Sequence, residues 1–422
     1  MNKKVYAINL AAAFALGLMM TGGVSAEEEQ ERSREKTDPQ QLIPGFFLSG
    51  DLGIVTDNNV FRTPDKQYKD YFADPAGGVI PTQNRQNGKY IPYNLSVGHE
   101  PKNFSRVEGL FKYTLTGKHY LDSKHENANQ SDQEFSFGGV FRMGEKSKLE
   151  SGLKVDVFWH KRNKLYIDRD TGEKKLTGAM DDISGKYTYT SVGLEAELFK
   201  QLSNNAEFGL GFNTEALDFE KPITGREYDN RFTEFFVKTD YRPFKYTKLK
   251  IDLSQASENY SDRRSRDLDG SMFGSYPTRV YNFQEIGFQV RQRVIQNLVT
   301  YADYSINNRK DEYLGYSNRS KSTMAVRVLY KFNEKLDSKF KFSYSNYDYP
   351  NALAYDKLIS DPSSPSRIPL TYSSSQISGK LEYALKKNIA VVGELSVYNA
   401  DSSDKRYDYE RNEVTVGVNS HW

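Results

Sequence analysis

Ionisable side chains recur at every second position through long stretches of this sequence, and that spacing limits what they can do. Lys248, Lys250 and Asp252 form one such set, and Lys339 with Lys341, Glu195 with Glu197, and Lys238 with Asp240 form others. On an extended chain, residues two apart project from the same face, so each set is a charged strip. The Glu195 and Glu197 carboxylates are close enough for acid–base work. None of the five histidines (His99, His119, His125, His160 and His421) stands in a recognisable Ser/His/acid spacing. A hydrolase or acyltransferase is therefore not the expectation. Asp168-Arg169-Asp170-Thr171-Gly172 and Asp267-Leu268-Asp269-Gly270 hint at calcium loops but lack the twelve-residue pattern with its closing Glu. They read as turns. With no cysteine in the chain, disulfide and cysteine–metal scaffolds are excluded. No metal and no cofactor is expected.

The strips are unevenly distributed. Segments 247–386 carry Lys248, Lys250, Arg291, Arg293, Arg309, Arg327, Lys331, Lys339, Lys341, Lys380 and Lys386 against few carboxylates. The first half carries Glu108, Asp156, Glu195, Glu197, Glu234 and Asp240. If both sets line one cavity, a basic wall faces an acidic one, and rings of Arg or Lys favour anions. The competing expectation is that these charges pair across neighbouring strands and merely hold the lumen together. The Arg263-Arg264-Ser265-Arg266 run falls in a loop, where surface phosphates are a better neighbour than nucleic acid.

The elements that position these strips are strands. A mean hydropathy of -0.73 excludes a bundle of membrane helices, and 30 Tyr with 25 Phe exclude a solvated coil. From Phe46 onward the apolar pattern has period two. Phe135, Phe137, Phe141 and Met143 share one face of their segment; Met324, Val326, Val328, Tyr330 and Phe332 share one face of theirs. Such runs fall near 46–56, 89–99, 105–118, 133–143, 148–161, 186–200, 206–218, 231–241, 247–258, 281–293, 298–309, 321–332, 338–348, 374–386, 389–399 and 410–422. Short connections, such as Gln296-Asn297 and Lys387-Asn388, alternate with long ones, such as 57–88 and 349–373. That alternation is the signature of an up-and-down barrel with turns on the periplasmic side and loops outside.

Charge on the apolar face tests this reading, because Arg or Lys facing lipid at mid-bilayer costs roughly 2–4 kcal/mol. The core positions of that face carry no Asp, Glu, Lys or Arg in any of the sixteen segments. A soluble sandwich also alternates, but its strands usually run to about five or six residues. The expected fold is all-β: a single transmembrane antiparallel up-and-down β-barrel of about 16 strands. Tyr241, Phe332 and Trp422 should mark the turn-side lipid boundary, and Tyr304 and Tyr344 the loop-side one.

The N-terminus carries an address. Lys3 and Lys4 precede the uncharged stretch Ile8 to Met20, and Val24-Ser25-Ala26 supplies small residues for cleavage. This is the pattern of a secretory signal peptide over 1–26, followed by a polar periplasmic lead-in at 27–45 and the barrel at 46–422. The whole chain holds 58 basic and 56 acidic residues. Loss of Lys3 and Lys4 balances them, so only local charge can select a partner.

Asp51 to Pro64 reads DLGIVTDNNVFRTP. A first strand followed by Asp57-Asn58-Asn59-Val60-Phe61-Arg62 resembles the outer-membrane β-barrel porin family associated with exopolysaccharide synthesis and export. The resemblance is specific over these few residues and otherwise architectural. It implies a non-enzymatic outer-membrane outlet for an extracellular polysaccharide; a general or solute-specific diffusion porin is the alternative. Expected partners are outer-membrane lipid and lipopolysaccharide, the polysaccharide or small solute, and a periplasmic export component. The motif itself reads as turn chemistry at a strand end, since Asn and Asp tolerate left-handed backbone.

Overall fold

A computed structural model describes residues 45–65, 68–69, 79–80, 85–99, 107–143, 149–169, 171–176, 182–220, 228–268, 270–354 and 368–422. The expected leader at 1–26, nearly all of the lead-in, and the turns at Pro101-Lys102-Asn103 and Gly144-Glu145-Lys146 lie outside the described residues.

Sixteen strands make one closed barrel. They are β1 (Phe46–Asp57), β2 (Gly88–His99), β3 (Val107–Tyr120), β4 (Gln130–Met143), β5 (Ser151–Lys164), β6 (Tyr189–Ser203), β7 (Ala206–Phe219) and β8 (Asn230–Phe244). The second half comprises β9 (Thr247–Arg264), β10 (Thr278–Ile295), β11 (Leu298–Asp311), β12 (Arg319–Lys331), β13 (Leu336–Ala354), β14 (Ile368–Lys386), β15 (Ile389–Ser402) and β16 (Tyr409–His421). A two-residue pair, Tyr68–Lys69 with Val79–Ile80, sits in the first long loop. Each barrel strand pairs antiparallel with its sequence neighbours, and β1 closes the cylinder against β16 from Ser49↔His421 to Asp57↔Glu413. At the turn-side end, the backbone of Trp422 exchanges hydrogen bonds of 2.9 and 2.7 Å with that of Leu48. Closure leaves no strand edge to solvate, as lipid demands.

All sixteen segments read from periodicity are strands, and the differences lie at their ends. β9 runs six residues past 258, and β13 runs to Ala354 rather than 348. The additions are largely polar (Ser261, Asp262, Arg263, Arg264; Tyr349, Asn351), and they lose the apolar alternation; the register shifts between Asn259 and Arg264 and between Tyr349 and Leu353 before pairing resumes at the strand tips. Above a lipid boundary, both faces of a hairpin meet water, so hydrogen bonding persists without a hydrophobic signature. Arg263 and Arg264 accordingly sit on a strand end rather than in a loop.

Candidate functional site

The sixteen-strand cylinder is wide enough for an aqueous lumen, and the inward positions carry the charged strips. Lys248, Lys250 and Asp252 share the inner face of β9, as do Glu195 and Glu197 on β6 and Lys339 and Lys341 on β13. The two walls expected from the sequence are interleaved with counter-charges. Asp156 meets Lys154 at 3.0 Å, Asp240 meets Lys248 at 2.9 Å, Glu108 meets Arg142 at 3.5 Å and Lys380 meets Glu382 at 2.8 Å. Lys250 lies 3.2 Å from Asp252, and Arg327 lies 3.7 Å from Asp303. Glu197 reaches Lys238 at 3.6 Å across the strand between them. Gly209 on that strand leaves the room: a Cβ there would stand 2.5 Å from the Glu197 carboxylate. Glu195, Glu234, Lys238, Lys250, Asp252 and Glu285 line a cavity of about 280 Å³.

Arg293 departs from its expected place in the open lumen. It is buried, and its Nε donates to the Gln296 carbonyl at 3.0 Å. The register shift between Arg293 and Ile295 folds the side chain over the turn. Lys331 and Lys386 stand exposed at turn-side strand ends, whereas Lys339 and Lys341 form no ion pair among the described residues. On β10 to β13, ring faces hold many of the cations, the Asp303-paired Arg327 among them. Arg309 lies 4.5 Å from the Tyr281 centroid; Arg327 and Arg291 lie 4.6 and 5.9 Å from that of Tyr301; Lys321 and Arg319 lie 5.3 and 5.8 Å from that of Tyr347. A ring face attracts a cation without cancelling its charge.

The Asp57 to Arg62 motif is a latch at the loop-side end of the β1–β16 seam. Asp57 is fully buried and receives a two-pronged bond from Arg411, Nε at 3.0 Å and Nη2 at 2.6 Å. The Tyr120 hydroxyl donates to it at 3.0 Å, as does the Asn59 backbone N–H at 2.9 Å. Arg411 also meets Glu413 at 2.7 Å, and Glu413 accepts from the Tyr90 hydroxyl at 2.7 Å. Asn58 Oδ1 accepts from the Asn412 N–H at 2.6 Å, carrying the pairing of β1 and β16 one step further. Asn59 accepts from the Thr63 N–H at 2.8 Å and donates to the Glu410 carbonyl at 2.9 Å. The turn expected of these residues is present, with Arg62 in the left-handed region at φ 58°. The turn also aims Val60 and Phe61 inward, where they pack with Val55, Tyr90 and Tyr120. The described start of the first long loop thus packs on the inner face of β1 to β3; most of 349–373 lies outside the described residues.

His125, in the 3-10 turn Ser123–Ala128, is sealed beneath this cluster, edge-on to Phe61 and Tyr120 at 5.5 and 5.8 Å. Burial holds its imidazole below the ordinary pKa of 6.5. An unfolded chain takes up that proton as pH falls through about 6.5 while the folded one does not, so stability drops on acidification. His125→Phe should flatten the decline in urea resistance of the lipid-reconstituted protein between about pH 7 and pH 5. Of the other histidines, His160 lies 3.3 Å from Asp132 and 3.4 Å from the Tyr189 hydroxyl, a lumen network with no nucleophile among these contacts. Asp168 accepts from the Thr171 N–H at 3.2 Å, and Asp267 takes the Tyr276 hydroxyl at 3.0 Å, so both engage their own turns.

The outer face is the converse. Leu52, Phe137, Phe235 and Val416 are each more than 60% exposed, and the exposed belt continues with Ile54, Leu198, Leu210, Leu253, Phe288, Phe340, Leu381 and Leu395. A closed cylinder with its apolar side chains outside and its charges inside is stable only in a bilayer. The chain is a bacterial outer-membrane β-barrel. Trp422, Tyr241 and Phe332 are exposed at the turn-side rim. Tyr304 and Tyr344 flank Met324 in register part-way along their strands, which continue beyond them toward the loops.

No family model and no curated protein sequence matches the chain. Among solved structures it is similar to a bacterial polysaccharide outer membrane secretin, at 10% identity over 88% of this chain and 97% of that one, with a TM-score of 0.40. The outer membrane channel DcaP of Acinetobacter baumannii shares 10% identity over 90% and 98%, with a TM-score of 0.44. An anion-selective porin from Comamonas acidovorans shares 12% over 89% and 98%, with a TM-score of 0.40. The architecture stands on the strand pairing and outer face above, independently of these likenesses.

Arg411, Glu413, Tyr90 and Tyr120 escaped the reading of the sequence as partners of Asp57. Tyr90 and Tyr120 come from the two strands after β1, and Arg411 and Glu413 arrive only when the last strand closes on the first. Arg279, at the loop-side mouth, precedes the alternating run 281–293, and Lys186 opens the run 186–200 but sits on the 3-10 turn before its strand.

Proposed function

We propose that this chain is a passive outer-membrane channel that guides an acidic extracellular polysaccharide along the inner face of β10 to β14. The observation that carries the reading is the row of cations held on the Tyr281, Tyr301 and Tyr347 rings. Guanidinium groups pinned by aromatic faces keep their charge and present N–H donors suited to carboxylates. A polymer bearing one carboxylate per sugar or two would pass from one cation to the next without a deep well. The interleaved carboxylates on β5 to β9 moderate binding on the opposite side, as conduction requires.

The test is ion selectivity in planar bilayers. A charge about 8 Å from the conduction path is worth about 0.5 kcal/mol in water, and salt at 0.1 M roughly halves it. Reversing both Lys339 and Lys341 to Glu changes four units of charge and acts oppositely on the two ions, so it should lower the chloride-to-potassium permeability ratio about twentyfold at 0.1 M salt, with the difference fading at 1 M. Acidic oligosaccharides should interrupt the wild-type current. Cation preference in the wild type, with free permeation of small neutral sugars and no interruption by uronate oligomers, would assign the barrel to small-solute diffusion instead.

A further inference from the structure

At the loop-side mouth the structure holds a second cationic cluster, built differently from the strip below it. Arg279 opens β10 with 2% of its surface exposed, yet its Nε and Nη2 have no hydrogen-bond partner among the described residues. Around it stand Arg263 and Arg266, with Lys186 beside those two. Tyrosine rings tie the group together. Tyr228 lies under both Arg263, at 4.4 Å, and Lys186, at 5.5 Å; Tyr281 lies under both Arg309, at 4.5 Å, and Arg279, at 5.8 Å. Tyr260 bridges the two halves, 5.3 Å from Arg263 and edge-on to Tyr281 at 5.9 Å. Glu258 is a carboxylate within electrostatic reach of Arg263, Arg279 and Arg309, but none of these cations forms an ion pair among the described residues.

Burying a guanidinium with unmet donors beside other cations is costly, since an unpaired buried charge lacks both solvent and counter-charge. The ring contacts and the more distant Glu258 leave the Arg279 donors unmet, whereas a ligand supplying negative oxygens would satisfy them. The strain is visible at Lys186, on the 3-10 turn Ser184–Tyr187, whose pKa is pushed down to about 8 by burial and by Arg263 and Arg266.

We infer that this cluster is an oxyanion-binding site, with the Arg279 guanidinium as its buried fork, and that it takes a carboxylate or phosphate carried on a sugar at the outer mouth. The inference deepens the channel reading by giving the polymer a dwell point where the lumen meets the loops. Its test does not depend on conduction. Calorimetry on the full chain in detergent micelles would titrate trigalacturonate, inorganic phosphate and, as the neutral control, maltotriose. Expected is binding of one or both anions, none of maltotriose, and a loss of at least tenfold in affinity in Arg279→Gln. Trigalacturonate as the better ligand assigns the site to a uronate; phosphate as the better ligand assigns it to a phosphorylated sugar or lipid headgroup.

Thermal unfolding separates this from a structural role for Arg279. Arg279→Gln should hold or raise the melting temperature without ligand, because it removes an uncompensated charge, and should lose the upward shift that the anion gives the wild type. Arg266→Gln, in the loop, is the second variant should the first fail to fold, and its affinity should fall severalfold. Absence of anion binding, or equal binding by both variants and the wild type, overturns the site even in a protein that conducts. Anion binding at this cluster in a protein that forms no channel would retain the site and remove the channel.

Discussion

Arg411→Met should destabilise the barrel more than any other single substitution at the seam, by about 3–5 kcal/mol in urea unfolding from lipid vesicles. Arg411 is the counter-charge of both Asp57 and Glu413, which are almost wholly buried. Its removal leaves two carboxylates without their bonded cation, and only Lys118 remains within electrostatic reach of both. Asp57→Asn should cost clearly less, because Arg411 retains Glu413, and the Tyr120 hydroxyl still has an oxygen to bond. This asymmetry is the content of the prediction. Equal losses for the two variants would mean that the latch acts through packing of Val60 and Phe61 rather than through its charges. Folded and unfolded forms can be separated by their mobility on unheated gels.

The second large effect concerns the outer face. Val416 is 62% exposed at the middle of β16, opposite Ile54, and its neighbour Thr415 points into the lumen. Val416→Arg should lower stability by about 2–4 kcal/mol, since the new charge must leave water for hydrocarbon. Thr415→Arg, one residue away, should change stability by well under half of that. A barrel standing in water would show the opposite order, because an exposed Val is indifferent to replacement by a charge. The pair of variants therefore measures what surrounds the cylinder.

Residues on the two faces show why so much of the fold is legible in the amino-acid order. Side-chain direction in a strand has period two, so a boundary between lipid and water writes itself directly into alternation. Phe135, Phe137, Phe141 and Met143 were sufficient to orient β4, and the same argument orients each of its neighbours. Hairpin connections then make sequential strands adjacent, and this supplies the order around the barrel without any long-range information. The strand ends beyond the lipid were less legible. At Ser261 to Arg264 both faces are wet, and the pairing with β10 shifts register and resumes only at Arg264.

The chain's order of residues by itself determined the fold class, the strand count and which side chains face inward, because each follows from local periodicity against a solvent that changes from water to hydrocarbon. Tertiary structure alone decided which charges from distant parts of the chain neutralise one another. The pairing of Lys238 with Glu197 across Gly209, the convergence of Arg411 and Tyr120 on Asp57, and the gathering of Lys186, Arg263 and Arg279 at the mouth all depend on strands packed side by side, and the Arg411–Asp57 pair on closure of the cylinder. Coulombic and hydrogen-bonding interactions act over a few ångströms in space, and the intervals along the chain that separate these partners leave no local pattern to read.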